Sequence, residues 1–220
     1  MARPAAIEPE TFAPPFDELM PMFLVQRPRT IDGTGWTHEL KYDGYRVLAE
    51  IDEGTVRLRT RNGTDATRWF PELDAPLRSV GTGRTVLDGE VCVLDDLGRS
   101  NFDRLQARAK RRGFREGDDP VVYCIFDVLV HRGLDVRAVP LASRKAMLAR
   151  LMRVSRPSLL LVRHMPAHGT WLYEQSCALG LEGIVSKRLD SPYLSGERTG
   201  TWVKVKRSGA VPPQRFKQSK

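Results

Sequence analysis

Apolar and polar side chains alternate over short runs along much of the chain, and turn-forming residues separate these runs. Alternation with a period of two is typical of β-strands that bury one face. Residues 45–51 and 55–60 show this pattern on either side of Asp52-Glu53-Gly54, so they predict a tight hairpin. Further β-rich runs predict strands at residues 85–94, 121–129, 159–162, 183–186 and 202–206.

Helical periodicity appears between these strands and predicts three helices. The candidate N-terminal caps are Ser100 or Asn101, Ser143 and Thr170, and Gly180 is placed to end the third helix. Strands and helices are interspersed without a regular βαβ rhythm. This order favours an α+β fold of antiparallel sheets with flanking helices.

Composition divides the chain into three segments. Residues 1–35 are rich in proline and are expected to form an N-terminal lead-in packed on the core through Phe16, Leu19, Met22, Phe23 and Leu24. Residues 36–207 hold most of the periodic elements and are expected to form one domain. Residues 208–220 are polar, basic and proline-containing, which predicts a disordered tail.

The chain has 220 residues, of which 41% are hydrophobic and 28% are charged, as in an ordinary globular protein. No segment approaches the ~20 continuous apolar residues that a membrane span requires. The N-terminus also lacks the apolar run of a signal peptide. We therefore expect a cytoplasmic protein that does not enter a membrane.

Cysteine spacing and net charge further limit the functional classes to which the protein can belong. Cys92, Cys124 and Cys177 lie far apart in apolar surroundings without C-x-x-C spacing, so free buried thiols are expected rather than a zinc site or disulfides. The formal net charge is +8 and the pI is near 9.7. A basic surface favours polyanionic partners, of which nucleic acid is the commonest.

Lys41 stands in the octapeptide Glu39-Leu-Lys-Tyr-Asp-Gly-Tyr-Arg46, next to a turn-forming Asp-Gly. A lysine becomes a nucleophile when burial or neighbouring cations lower its pKa. Arg46 offers a planar fork of donors that suits phosphate. The alternative is a strand that enters a hairpin turn with both cations solvated.

Several short elements downstream suit phosphate and nucleotide chemistry. Arg61 lies in a turn after a strand, and Glu90 leads into an apolar strand where it can accept hydrogen bonds from a sugar or hold a metal-bound water. Phe126 is a candidate platform for a base. Glu182 and Lys187 stand at the two ends of one strand, and alternation places Lys204 and Lys206 on one face of another.

Each of these elements also has a purely structural interpretation. The turn before Glu90 can serve only to enter a strand, and Phe126 can be an ordinary core residue. Lys204 and Lys206 can face water on a half-exposed strand. Two like charges on one face repel each other, which favours an anion between them. The joint occurrence of the elements, rather than any one of them, supports a nucleotide site.

In chain order, these elements resemble the nucleotidyltransferase motifs of ATP-dependent DNA ligases. The motifs are Lys41-Tyr-Asp-Gly-Tyr-Arg46, Arg61-Asn-Gly63, Leu87-Asp-Gly-Glu90, Phe126-Asp127, Glu182-Gly-Ile-Val-Ser-Lys187 and Trp202-Val-Lys-Val-Lys206. The resemblance is strongest to the bacterial ligase domain associated with non-homologous end joining, and it covers residues 15–207. It implies an antiparallel nucleotidyltransferase (ATP-grasp-like) fold, with residues 36–207 as the adenylation domain.

The resemblance also implies a mechanism in which Lys41 attacks the α-phosphate of ATP and forms lysyl-AMP. AMP would then pass to a DNA 5′-phosphate, and a 3′-hydroxyl would displace it. Mg²⁺ or Mn²⁺ is the implied metal. The implied roles are Glu39 near the adenine edge, Arg46 near ribose and phosphates, Arg61 on the nick 5′-phosphate, Glu90 on the ribose hydroxyl or metal, Phe126 stacked on adenine, Glu182 with the metal, Lys187 on nucleotide phosphate, and Lys204 and Lys206 on the α-phosphate. Lys204 and Lys206 would also depress the pKa of Lys41.

The resemblance leaves the partners and the extent of the reaction open. Nicked or broken duplex DNA is the expected substrate, for a monomer aided by end-joining proteins or by a separate OB-fold lobe, because only residues 208–220 follow the last motif. The chain could be a minimal natural form or a truncated one. A non-catalytic DNA-end-binding module and an RNA ligase or capping-type nucleotidyltransferase are the alternatives.

Overall fold

Two β-sheets with helices on the outer faces make up the computed structural model, which describes residues 12–81 and 83–210. The strands are β1 (Phe23–Gln26), β2 (Gly33–Leu40), β3 (Tyr45–Asp52), β4 (Thr55–Thr60), β5 (Thr85–Val93), β6 (Val121–His131), β7 (Leu134–Asp135), β8 (Leu159–Leu161), β9 (His164–Ala167), β10 (Gly183–Arg188) and β11 (Arg198–Lys206). The α-helices are α1 (Asp74–Arg78), α2 (Phe102–Lys110), α3 (Leu141–Leu151) and α4 (Gly169–Ala178).

The strands pair mainly antiparallel within each sheet. The smaller sheet has the order β1-β11-β10-β2-β9, and the larger has the order β4-β3-β5-β6-β7, with β8 beside β6. The parallel pairs are β1 with β11 and β8 with β6. The prediction of an α+β fold with antiparallel sheets and flanking helices is therefore confirmed.

Two apolar clusters hold these layers together. One lies between the sheets and includes Leu48, Phe126 and Trp202. The other lies on the opposite face of the larger sheet, where Leu105 and Leu148 pack from α2 and α3. Strands β5 and β6 are buried on both faces, which explains their nearly continuous apolar sequences.

The strand predictions agree with the structure, with differences near the N-terminus. The hairpin between β3 and β4 is confirmed, with positive φ at Glu53 (44°) and Gly54 (76°) as its tight turn requires. The lead-in contributes a strand, β1, and the predicted boundary at residue 36 falls inside β2. Phe16, Leu19 and Met22 are buried as expected. Most of the predicted tail lies outside the described residues.

Two of the predicted helix caps are wrong. Asn101 caps α2 by accepting a hydrogen bond from the Arg104 amide, whereas Ser143 lies inside α3, which begins after Pro140. Thr170 lies inside α4, and its amide donates to the Asp32 carboxylate, so a distant acid does the capping. Gly180 follows the C-terminal end of α4 with a φ of 71°, as predicted.

The three cysteines are free thiols, and their burial differs. Cys92 and Cys124 are free and buried as expected, but Cys177 is free and only half-buried, because it lies on α4 at the surface. In the described parts of the chain, no helix is long and apolar enough to cross a membrane.

Candidate active site

A cleft opens between the two sheets and gathers much of the predicted chemistry. Its lining residues are Leu24, Glu39, Lys41, Tyr42, Arg46, Glu90, Phe126, Val185, Lys187 and Trp202. A nucleotide-sized ligand is best held by apolar walls with a few placed polar groups, which is the composition of this cleft.

Lys41 lies at the mouth of the cleft, just after β2 ends. Its backbone N–H donates to the Gly183 carbonyl (2.9 Å), which ties the segment to β10. Its Nζ donates to Glu182 Oε2 at 2.6 Å, and the side chain is 15% exposed. Lys206 Nζ lies 2.7 Å from the other oxygen, Glu182 Oε1. One carboxylate therefore joins the predicted nucleophile to one of the predicted phosphate-binding lysines.

The charge state of Lys41 differs from the prediction. Burial favours the neutral amine, but the Glu182 and Glu90 carboxylates outweigh it and raise the pKa of Lys41. A net depression of this pKa by Lys204 and Lys206 was expected and is wrong: Lys204 and Lys41 do repel each other, but the carboxylates outweigh that repulsion, and Lys206 is itself paired with Glu182. Lys41 is thus an ammonium that must release a proton before it can attack.

Glu90 faces Lys41 and Arg46 across the same space. It stands opposite Arg46 in the pairing of β3 with β5, and its Oε1 accepts a hydrogen bond from the Gly44 amide at 3.2 Å. Burial raises the pKa of Glu90 to about 7, although Lys41 and Arg46 oppose that rise. A carboxyl with this pKa can exist in either protonation state near neutral pH.

Gly44 is required by a close approach of two backbones. A Cβ on this residue would lie 2.1 Å from the Val91 carbonyl oxygen and 2.8 Å from Cys92 Sγ. Real Cβ atoms do not make such contacts, so the Asp-Gly after Lys41 lets the segment lie flat against β5. The glycine that suggested a hairpin turn therefore serves this close packing.

The inner end of the cleft holds a buried acid between two lysines. Glu39 Oε2 lies 2.8 Å from Lys187 Nζ, and Oε1 forms an ion pair with Lys145 of α3. Burial alone would raise the pKa of Glu39, but the two ammonium groups hold it below its ordinary value. Glu39 is therefore an ionised acceptor that faces the cleft.

Lys187 packs among aromatic rings as well as against Glu39. Its Nζ lies 4.3 Å from the centre of the Phe126 ring and 4.1 Å from that of Trp202. Burial is the largest effect and lowers the pKa of Lys187 to about 8. The predicted phosphate role does not agree with this position, because Lys187 lies at the buried end of the cleft beside Glu39.

Arg46 is held rigidly at one wall. Its Nε and Nη2 donate to the two oxygens of Asp88 at 2.5 and 2.6 Å, and Tyr193 also donates to Asp88. The Asp88 carboxylate raises the pKa of Arg46 further despite burial. The guanidinium lies 4.4 Å from the centre of the Phe126 ring. Phe126 itself is 9% exposed and lines the cleft.

A basic groove continues outward from Lys41. It is lined by Arg46, Glu90 and a cationic set made of Arg61, Arg198 and Lys204. Arg61 and Arg198 both lie over the Phe23 ring, at 5.0 and 5.7 Å from its centre. Burial and the neighbouring cations Lys206 and Lys41 lower the pKa of Lys204. Three cations beside the nucleophile suit a phosphate chain.

Sequence reasoning missed several residues that shape the site. Lys145, Asp88, Arg198 and Trp202 are the clearest of them. Asp88 stood inside the Leu-Asp-Gly-Glu motif, and its burial on an apolar strand was a usable signal. Lys145 lies on a helix far from any motif, so no local pattern could have indicated it.

Comparison with known proteins places these features in a family. Residues 24–206 match the family described as ATP dependent DNA ligase domain. The multifunctional non-homologous end joining protein LigD of Pseudomonas aeruginosa is 40% identical over 173 residues, which is 78% of this chain and 20% of that protein. LigD of Mycobacterium bovis is 36% identical over 194 residues, which is 87% of this chain and 24% of that protein.

A solved structure agrees with the sequence relatives. Mycobacterial DNA ligase D complexed with ATP and MES is 34% identical, with a TM-score of 0.76, over 88% of this chain and 62% of that one. The chain spans about a fifth to a quarter of the length of the two LigD relatives. Its fold, its motif order and these matches agree, and the chain belongs to the ATP-dependent DNA ligase domain family, as a nucleotidyltransferase domain.

Proposed function

We propose that this chain adenylylates itself at Lys41 with ATP and passes the AMP to a DNA 5′-phosphate. The observation that carries the proposal is Lys41 Nζ at the junction of two environments. On one side is the apolar cleft with Phe126 and the ionised Glu39, and on the other is the groove with Arg61, Arg198 and Lys204. A base fits the first environment, and a phosphate chain fits the second.

The base would lie against Phe126 and Val185, with its edge toward Glu39 and Lys187. The exocyclic amine of adenine is a donor that suits the Glu39 acceptor, and an adjacent ring nitrogen suits the Lys187 ammonium. Arg46, Glu90 and Lys41 line both the cleft and the basic groove, and a ribose and the α-phosphate would lie beside them.

In the first step, Lys41 loses a proton and its nitrogen attacks the α-phosphorus. The Glu182 oxygen at 2.6 Å is the nearest acceptor for that proton. The N–P bond forms as the bond to the β-phosphate oxygen breaks, and pyrophosphate leaves. The Arg61, Arg198 and Lys204 side chains stabilise the charge on the phosphates, which is the main task in phosphoryl-type transfer.

A divalent cation, Mg²⁺ or Mn²⁺, fits the acids beside Lys41. The described residues hold no cluster of three or more candidate ligands, but Mg²⁺ commonly takes only one or two carboxylates and completes its shell with substrate phosphates and water. Glu182 and Glu90 both act electrostatically on Lys41 and are the residues that would hold it. When bound, the cation neutralises phosphate charge.

For the second stage, we infer that AMP moves from Lys41 to a DNA 5′-phosphate, and that strand joining follows in DNA repair by end joining. The support is the LigD relatives, whose names specify non-homologous end joining. The basic groove can also receive the 5′-phosphate. The chain spans only part of those relatives, so we propose that strand sealing also requires an OB-fold lobe or end-joining proteins. We further propose that the chain acts as a monomer in the cytoplasm.

The test is incubation with α-³²P-ATP and Mg²⁺, followed by denaturing electrophoresis. We expect label on the wild-type chain and none on Lys41→Arg, whereas Lys110→Arg, at an exposed helix position, should label normally. Labelling of Lys41→Arg, or none on wild type even with Mn²⁺, would refute the proposal. GTP as donor and nicked RNA as acceptor separate the capping and RNA-ligase alternatives. DNA binding without labelling would support the non-catalytic module.

A further inference from the structure

A second cavity, of about 500 Å³, opens on the opposite side of the larger sheet from the cleft. Its floor includes Met147 and Leu151 of α3, which pack on the outer apolar cluster, whereas Phe126 of the cleft belongs to the cluster between the sheets. The thickness of the sheet thus separates the two sites. Nothing in the proposed reaction at Lys41 uses the second cavity.

Among the residues that the structure describes, four arginines and no acid line this cavity. They are Arg132, Arg150, Arg153 and Arg156. Over residues 12–81 and 83–210, none of the four has a carboxylate oxygen within 4.0 Å. By contrast, the buried arginines Arg108 and Arg144 are each paired with acids. Guanidinium groups crowded around one concave space repel one another unless an anion lies between them.

One of the four arginines is fixed in place by the protein. Arg156 Nε donates to Ser79 Oγ and its Nη2 to the Ser79 carbonyl, both at 2.7 Å, while Nη1 donates to the Val154 carbonyl. Arg150 and Arg153 are exposed at the end of α3 and are free to adapt. His131 adds a buried Nδ1 without a hydrogen-bond partner in the described residues. The rim is therefore partly rigid and partly adjustable.

The floor of the cavity is apolar, and this favours an acidic polypeptide over a nucleic-acid backbone as the ligand. Val80, Met147 and Leu151 line it, and Val154 at its rim is 59% exposed. A nucleic-acid backbone offers phosphates and sugars to the arginines but no branched aliphatic side chain to fill such a floor. A polypeptide with acidic and aliphatic side chains satisfies both the arginines and the floor, and arginine with exposed apolar residues is typical of protein interfaces.

We propose that this cavity, defined by Val80, Met147, Leu151, Val154 and the four arginines, docks an acidic peptide segment of a partner polypeptide that carries aliphatic anchors. The carboxylates would pair with Arg150, Arg153 and Arg132, and an aliphatic side chain would cover Leu151 and Val154. The site is independent of the adenylylation chemistry. A bound peptide would therefore tether the domain to its partner and leave the reaction at Lys41 unchanged.

The experiment is fluorescence anisotropy with a fluorescein-labelled synthetic peptide of glutamates with regularly spaced leucines. We expect saturable binding by the wild-type chain and a loss of about tenfold or more in affinity for Arg150→Glu/Arg153→Glu, because charge reversal places like charges together. The matched variant Lys110→Glu/Arg115→Glu has the same net charge and should bind as wild type. A peptide with serine in place of leucine should bind more weakly.

Several results would overturn the proposal. Equal affinity of the two double variants would show that only net charge matters, and equal affinity of the serine peptide would remove the role of the floor. Labelled duplex DNA that binds through Arg150 and Arg153 while the peptide does not would assign the cavity to nucleic acid. A wild-type dimer, seen by sedimentation and lost in Arg150→Glu/Arg153→Glu, would assign it to a second copy. Adenylylation by this variant should stay normal.

Discussion

The Glu182 carboxylate accepts a hydrogen bond from the Lys41 ammonium at 2.6 Å, so the predicted nucleophile is stored in its protonated form. The same acid raises the pKa of Lys41 and offers the shortest path for the proton to leave. Glu182 therefore lowers the fraction of Lys41 that is a neutral, reactive amine. At the same time, it speeds the removal of the proton because it is the nearest acceptor. This pairing makes the rate of adenylylation sensitive to both the acid and the pH.

We predict that Glu182→Gln lowers the pKa of Lys41 and shifts the rising limb of the adenylylation pH profile to lower pH. The plateau rate should fall by about 10²–10⁴-fold, because a positioned proton acceptor has been removed. Single-turnover labelling across pH measures both effects. Glu174→Gln, on the exposed face of α4, is the matched control. An unshifted limb in Glu182→Gln would contradict the assigned interaction.

Glu90 should make the protein less stable as pH rises through neutrality. Its pKa is about 7 in the fold, above the ordinary value of 4.5, so the folded state binds more protons than the unfolded state between these values. Stability therefore decreases with pH across that window. Glu90→Gln should remove the loss, on the order of 1–3 kcal/mol.

The measurement is urea unfolding at pH 5 and pH 8 for both proteins. From pH 5 to pH 8, the free energy of unfolding of Glu90→Gln should rise relative to that of the wild type. Other titrating groups cancel in this comparison because both proteins share them. A difference that is the same at both pH values would show that Glu90 is ionised throughout, and the predicted shift would then be wrong.

Lys145 should affect nucleotide binding although it does not line the cleft. Lys145→Met removes one of the two lysines that pair with Glu39 and leaves Lys187 as the other. It also raises the pKa of Lys187, because a neighbouring like charge is lost. We expect a higher KM for ATP with a smaller change in kcat, and a loss of about 1–3 kcal/mol in stability. Kinetics of self-adenylylation and urea unfolding measure these quantities.

The pairing can be isolated with a double-mutant cycle. Glu39→Gln, Lys145→Met and the double variant should show effects on ATP affinity that do not add, because the two residues act as one unit. Lys145→Arg should restore part of the affinity. Additive effects would indicate that Lys145 contributes only to folding.

Gly44→Ala should disrupt the segment that carries Lys41. The added Cβ would meet the Val91 carbonyl, so the segment must move away from β5, at a cost of about 1–3 kcal/mol. Labelling at Lys41 should fall steeply even where the variant is folded. Gly35→Ala in β2, where a Cβ meets nothing within 4 Å, is the control and should behave as wild type.

Sequence alone predicted the fold class and brought Glu39, Lys41, Arg46, Glu90, Phe126 and Lys187 into consideration, and these residues do line one cleft. Local motifs report strands, turns and the residues next to them. They do not report long-range pairs, so the contact of Lys145 with Glu39 was invisible. The sign of the Lys41 pKa shift failed for the same reason, because it depends on Glu182, which lies 141 residues away.

The caps show how tertiary contacts override local propensity. Thr170 has the side chain of a good cap, yet both its amide and its hydroxyl donate to the Asp32 carboxylate from across the chain. Ser143 lies inside α3 because Pro140 already marks its start. Local preference fixed the existence of these helices but not their first residues.

Strand β1 pairs in parallel with β11, the strand that carries Lys204 and Lys206. Without it, β11 would be an edge strand with a row of unpaired backbone groups, which is a template for pairing between molecules. Leu24 of β1 also forms part of the cleft wall. A shortened protein that starts at the first motif would therefore lose a wall of its nucleotide site and acquire a tendency to self-associate through the phosphate-binding strand.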